Sequence, residues 1–470
     1  MKRSATLFIG IFALCNMMTS HTKGQLKPIT LHPKNQHYFL YNDKATVLIT
    51  SGEHYGALIN LDFNYKTYLE ELRSNGLNMT RIFTGAYAEP KGSFKIDRNS
   101  LAPGPNRFIC PWPRSNEQGY AGGGNKFDLT KWDESYFARI KDLMSVAREN
   151  GVVVEFTFFC PFYDDSQWAV SPMNAVNNVN GIGNGARTDV YTLDRNGSLL
   201  LIQDSLVRKM VETLNEYENL IFEICNEPYF GGVTMEWQHH IASLIQETEK
   251  KLKKTHLISQ NIANGSALIT DPHPGVSVFN FHYATPPVAV TKNYHLNKCI
   301  GDNETGFKAQ ADSTYRKEGW EFILAGGALY NNLDYSFAPS FEKGTYKYGA
   351  QQPGGGSTAL RQQLRYLKTF VEKFDFVSMK PDSTVITDGI PAGARAHVLT
   401  EPGKQYAVYV LHGNKVNFGL NLPAGKYSMQ WLDPVTGEYS KKKTLRHAGG
   451  RAELASPAYV FDIALRIVAK

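Results

Sequence analysis

Two stretches of the chain end in a glutamate placed where a carboxyl could do chemistry. The apolar run Leu220–Cys225 continues into Asn226-Glu227-Pro228, and Cys299-Ile-Gly-Asp-Asn-Glu-Thr-Gly306 brings Glu304 to the end of a second short run. Two carboxyls on one rim meet the need of acetal hydrolysis. One gives a proton to the departing oxygen and the other attacks the carbon, which requires a separation of ~5–5.5 Å and retains configuration. Side chains alternate along a strand, so Glu223, Cys225 and Glu227 share a face. If Glu227 reaches the rim, Glu223 points into the interior and needs a partner there. Arg81, near the end of an earlier strand, is a plausible one.

These residues need a scaffold that gathers strand ends on one face. From about residue 46, apolar runs alternate with amphipathic helices, the pattern of a parallel sheet with helices outside it. The spacing predicts strands at 46–50, 79–83, 152–159, 220–225, 256–260, 276–281, 299–301 and 321–324. Helices are expected at 65–75, 134–150, 201–217, 237–254 and 358–374. Eight strands suffice for a (β/α)₈ barrel, an α/β fold whose active site lies at the C-terminal strand ends. Two long connections, 84–131 and 161–200, leave those ends, and connections this long are usually functional. They carry Trp112, Tyr120, Tyr163 and Trp168, flat rings that could stack on sugars. After Pro381 short strands and turns such as Pro423-Ala-Gly425 predict a small all-β sandwich. The expected organisation is therefore a signal peptide at 1–25, a catalytic barrel at 26–378 and a C-terminal β-sandwich at 383–470.

Asn226-Glu227-Pro228 after strand four and Glu304-Thr305-Gly306 after strand seven resemble clan A of the glycoside hydrolases, the clan of the cellulases and mannanases. The resemblance covers roughly residues 46–375. It implies a retaining glycoside hydrolase acting on a poly- or oligosaccharide without a cofactor. In that pattern Glu227 matches the acid/base and Glu304 the nucleophile. Asn226 matches the group that binds the sugar 2-hydroxyl, and Arg81 the arginine that braces the nucleophile. His282 or Tyr283 matches the strand-six group that steadies it. Adjacent residues face opposite ways, so one of the two is expected unless the strand bulges, and Tyr283 is favoured. Arg81 should hold Glu304 charged, and the charge of Glu304 should raise the acid.

The chain departs from the clan in two places. The aromatic usual after strand eight is missing; either Tyr330 substitutes for it or the floor of the −1 subsite differs. Strand one ends in Gly52-Glu53-His54-Tyr55, where Glu53 and His54 could bind sugar hydroxyls or pair with Arg81. The competing reading is a non-catalytic carbohydrate-binding or adhesion protein, but both glutamates are present. A metal hydrolase lacks ligands, because His54 stands alone and His239-His240 falls on an outer helix.

Lys2, Arg3 and Lys23 supply half of the formal net charge of +6. The remainder gives no argument for nucleic-acid or membrane binding. Lys2-Arg3 followed by an apolar run from Ala5 to Leu14 reads as a signal peptide, too short for a membrane span. A secreted or periplasmic protein is expected. Leu14 before Cys15 makes lipid anchoring the less favoured reading. Cys110, Cys160, Cys225 and Cys299 fit no metal or redox spacing and read as small buried hydrophobes. The sugar, the linkage and the oligomeric state are not legible in the sequence.

Overall fold

The structure is a computed structural model that describes residues 27–470. The expected signal peptide lies outside the described residues. Eight parallel strands form a nearly closed barrel: β1 (Leu48–Gly52), β2 (Met79–Phe83), β3 (Val153–Phe159), β4 (Leu220–Cys225), β5 (Leu257–Asn264), β6 (Val276–His282), β7 (Cys299–Glu304) and β8 (Leu329–Leu333). The ladder runs from β1 through β8 and back down to β2. At the seam between β1 and β2, the Asn78 side chain donates to the Val47 carbonyl and accepts from the Ile49 N–H. One side chain there does the work of a missing ladder pair.

Helices α1 (Tyr65–Ser74), α2 (Glu134–Glu149), α3 (Leu200–Leu214), α4 (Met235–Glu249), α5 (Val288–Asn293), α6 (Asp312–Leu324) and α7 (Thr358–Val371) follow in order. Their starts are written in local chemistry. Asn64, Asp133, Thr234 and Ser357 each accept backbone N–H groups at a helix N-terminus. The long connection after β2 carries a two-stranded ribbon, Arg114–Gln118 with Asn125–Phe127, and the one after β3 a short helix, Asp165–Ala169. A small antiparallel sheet at 30–46 precedes the barrel, with the Ile29 N–H bonded to the Glu218 carbonyl just before β4.

One expected strand is a helix. Residues 321–324 end α6, and strand eight is Leu329–Leu333. The helix is buried on two sides, which gives it the continuous apolar run of a strand. Trp320 stacks on Tyr409 of the C-terminal domain at 5.2 Å, and the buried Glu321 accepts two hydrogen bonds from Arg395.

The C-terminal domain contains β9 (Arg395–Glu401), β10 (Gln405–Leu411), β11 (Asn417–Leu422), β12 (Gly425–Leu432), β13 (Lys443–His447), β14 (Gly450–Ala455) and β15 (Asp462–Ala469). All pair antiparallel. One sheet runs Lys380–Pro381, β9, β10, β15, β12, β13, and the other runs Ile386–Asp388, β11, β14. Val408, Phe418, Trp431 and Leu465 pack between them. The other face of the larger sheet joins the barrel core through Leu399, Tyr409 and Ala464. There Arg316 of α6 makes a buried two-pronged ion pair with Asp462, at 2.6 and 3.0 Å.

Candidate active site

Glu227 directly follows Asn226, the residue after β4, and Glu304 is the last residue of β7. One carboxylate oxygen of each lies within 4.8 Å of the other, and His282 Nδ1 is 3.0 Å from Glu227 and 3.5 Å from Glu304. Glu227 holds a left-handed backbone, φ 35°, which non-glycine residues avoid. The surroundings fix it: Asn261 of β5 accepts its N–H at 3.1 Å, and the Asn226 N–H reaches the Phe159 carbonyl at 2.8 Å.

The two carboxyls have different neighbours. Glu304 accepts from Tyr55 and Tyr283 hydroxyls, each at 2.9 Å, and from Arg81 Nη1 at 3.4 Å. Glu227 accepts from Tyr163 at 2.6 Å, Tyr229 at 3.2 Å and His282 Nδ1 at 3.0 Å. Burial alone pushes Glu227 up, but these donors, His282 foremost, outweigh it and hold the carboxyl below its ordinary range. The expectation of a raised acid is not met. The sequence reading weighed the charge of Glu304 but could not see three donors converging on Glu227.

Arg81 is fully buried and serves both the interior and the rim. It donates to Glu223 at 2.8 Å, to Asn226 Oδ1 at 2.7 Å and to Glu304, with its guanidinium over the Tyr55 ring. Beneath it Glu155, Glu223, Asn280 and Asn303 share hydrogen bonds in the barrel interior. Burial, then the charge of Glu223, pushes Glu155 up to about 7. Asn303-Glu-Thr305 has the form of an N-glycosylation acceptor, but Asn303 is buried in this network and closed to a glycan.

His282 and Tyr283 both face the site. The register of β6 on β7 shifts between Phe281 and His282, and Tyr283 takes φ 54°. That irregularity turns two consecutive side chains inward, which regular alternation forbids. His282 turns Nδ1 to the carboxyls, 3.0 Å from Glu227 and 3.5 Å from Glu304, while its Nε2 is buried with no partner among the described residues.

The rest of the expected set divides. His54 lines the cleft, 3.3 Å from Glu89. Glu53 does not. It is buried, accepts the Gly56 and Ala57 N–H groups and the Ser100 hydroxyl, and makes no contact with Arg81. Trp112 is core, 1% exposed, and Trp168 packs on Phe162 at 4.8 Å; neither lines the cleft. Tyr330 also turns away, its hydroxyl bonded to the Tyr315 carbonyl. With strand eight ending at Leu333, the aromatic beyond it is Tyr335, 6.1 Å from the His54 ring. The sequence reading missed Tyr55, Glu89 and Tyr229 as site residues. Tyr55 closes the strand-one motif, but its role depends on a backbone turn, φ 57°, that the motif does not announce.

Glu227, His282 and Glu304 are also the group among the described residues whose ligand atoms converge tightly enough for a cation. Their oxygens are already engaged by four hydroxyls, Arg81 and His282.

The family profile described as cellulase (glycosyl hydrolase family 5) matches residues 43–283, half of the chain. The chain belongs to glycosyl hydrolase family 5. The match runs from before β1 to Tyr283 and includes Glu227; Glu304 lies beyond it and rests on the geometry above. No curated protein sequence matches. Among solved structures, a candidate glycoside hydrolase from Bacteroides vulgatus aligns at TM-score 0.66 and 12% identity, over 95% of this chain and 83% of its own. A family 5 glycoside hydrolase from the same organism aligns at 0.61 and 13%, over 94% and 93%. A family 5 mannosidase from Rhizomucor miehei aligns at 0.50 and 13%, over 74% and 99%. The first two span barrel and sandwich together, and at these identities the likeness is one of fold. This family 5 chain is a glycoside hydrolase, and its substrate is a carbohydrate.

Proposed function

We propose that the enzyme cleaves an O-glycosidic bond of a poly- or oligosaccharide by double displacement, outside the cytoplasm. The observation that carries this is the closeness of Glu227 and Glu304, within 4.8 Å, short of the ~6.5–9.5 Å that an inverting pair uses. Glu304 attacks the anomeric carbon and forms a glycosyl ester while the leaving oxygen takes the proton of Glu227. Glu227 then removes a proton from water, which attacks the same carbon, releases Glu304 and restores the starting configuration. Arg81, Tyr55 and Tyr283 hold Glu304 as a positioned carboxylate. Asn226, fixed by Arg81, offers its amide to the 2-hydroxyl.

Glu227 must hold a proton when the sugar is bound. Burial is the largest influence on it and favours the neutral form. A leaving group that seals the cleft and displaces the exposed Tyr229 tips the balance that way. Secretion rests on the charged and apolar N-terminal residues alone. The test is a screen of chromogenic glycosides and polysaccharides, followed by proton NMR of the first anomer released. Retention is expected; inversion refutes the double displacement.

A further inference from the structure

The cleft wall built by the end of β1 and the loop after β2 carries a polar pair that the proposed mechanism leaves unused. His54 and Glu89 both line the cleft, with Nε2 and Oε1 3.3 Å apart. Glu89 is held in place by the Tyr87 hydroxyl at 3.0 Å and the Asn99 amide. His54 is 8% exposed and presents Nε2 beside Glu89 on the cleft lining.

The position of the pair says which sugar it meets. The departing oxygen lies toward the acid, Glu227, on the side of Tyr163 and Tyr229. The ring attacked by Glu304 lies toward β1, where Tyr55, the neighbour of His54, holds that carboxylate. His54 and Glu89 therefore face the glycone. Its chamber is roofed. Phe94, from the loop after β2, meets Phe307, from the loop after β7, edge-on at 6.0 Å, and Tyr163 at 5.5 Å. Phe94 sits in a left-handed conformation, φ 54°, that aims the ring across the mouth. The cavity is about 280 Å³, at the small end for ligand sites. Glu89, Glu227 and Glu304 line it with no lysine or arginine among the lining residues. Lys308, over the Tyr283 ring, is held by Glu318 at 2.8 Å.

We propose that the enzyme removes a single neutral sugar from the non-reducing end of its substrate, with Glu89 and His54 reading two adjacent hydroxyls of that terminal ring. Glu89 accepts from one hydroxyl, and His54 meets the next through Nε2, the nitrogen beside Glu89. A uronic acid is excluded by the three carboxyls. A continuing chain is excluded by the Phe94–Phe307 roof. The inference rests on the catalytic roles proposed above.

The test uses 4-nitrophenyl glycosides of glucose, mannose, galactose, xylose and glucuronic acid, with manno- and cello-oligosaccharides either free or blocked by a 4,6-O-acetal at the non-reducing end. Turnover of one neutral monosaccharide glycoside is expected, with none of the glucuronide and none of the blocked oligosaccharides. For the sugar accepted, the 3- and 4-deoxy glycosides should identify a hydroxyl whose loss lowers kcat/KM at least about a hundredfold, because buried polar partners are then left unpaired. In Glu89→Gln that penalty should shrink to below about tenfold. His54→Gln repeats the comparison if Glu89→Gln fails to fold, and Phe94→Ala, at an exposed side chain, should admit the blocked oligosaccharides. Cleavage of blocked and free oligosaccharides at equal rates by the unaltered enzyme overturns the inference and leaves the glycosidase roles standing. An undiminished deoxy penalty in Glu89→Gln and in His54→Gln overturns the recognition pair. Failure to turn over any glycoside or polysaccharide refutes the catalytic reading itself.

Discussion

Tyr163→Phe is the perturbation that most cleanly separates the two carboxyls. The Tyr163 hydroxyl makes the shortest of the three hydrogen bonds to Glu227, at 2.6 Å, and makes none to Glu304. A hydrogen bond to a charged group is worth about 1.5–3 kcal/mol. Removing this one disfavours the charged form of Glu227, so its proton is held to higher pH. At ~1.36 kcal/mol per pH unit the full loss corresponds to about one to two pH units. His282 and Tyr229 remain, and Asn226 loses its own bond to the Tyr163 oxygen at 2.8 Å, so the lower figure is expected. The assay is kcat/KM against pH on a glycoside with a poor leaving group, whose departure needs the proton of the acid; it reports the free enzyme. The alkaline limb, set by the group that must be protonated, should move up by about one pH unit. If Tyr163→Phe leaves the alkaline limb in place or moves it down, the division of roles is wrong.

Two further predictions concern stability. Asp462→Ala leaves Arg316 buried between barrel and sandwich without its carboxylate, and it also strips an acceptor from Tyr409. It should cost about 3–5 kcal/mol in urea unfolding, the usual range for breaking a buried pair; a loss near zero would mean the two domains are not held together there. Glu155 is raised to about 7, so the folded chain binds its proton more tightly than the unfolded chain does. Stability should therefore fall as pH rises from about 4.5 through about 7, by on the order of 3 kcal/mol. Glu155→Gln should flatten that slope in thermal melts between pH 5 and 8, and an unchanged slope contradicts the assignment.

Much of the fold was legible because hydrophobic period and strand-end chemistry agree along most of the chain. Leu220–Cys225 and Met79–Phe83 end where their apolar runs end. The reading failed where tertiary contact overrides local pattern. Residues 321–324 look like a strand because a second domain buries the outer face of α6, and that error moved the strand-eight aromatic from Tyr335 to Tyr330. The polar strands Lys443–His447 and Gly450–Ala455 carried no apolar signal, because much of their surface faces solvent. At the site, Arg81 was legible because a buried Glu223 demanded a cation. Tyr55 and the joint use of His282 and Tyr283 were not, because both depend on backbone irregularities at positive φ. Trp112 and Trp168 show the converse: a large ring in a long loop packs that loop as readily as it meets a ligand.

The central claim is that Glu304 attacks carbon and Glu227 moves the proton. The most direct measurement compares Glu304→Ala and Glu227→Ala on an aryl glycoside with an acidic phenol, with and without azide. Glu304→Ala should lose turnover of every substrate. Glu227→Ala should keep much of the first step, since an acidic phenol departs without the roughly 10²–10⁴-fold help of a general acid. Azide should then restore its turnover and yield a glycosyl azide of unchanged configuration. Equal losses in the two variants, or rescue of Glu304→Ala with retained configuration, would contradict the account.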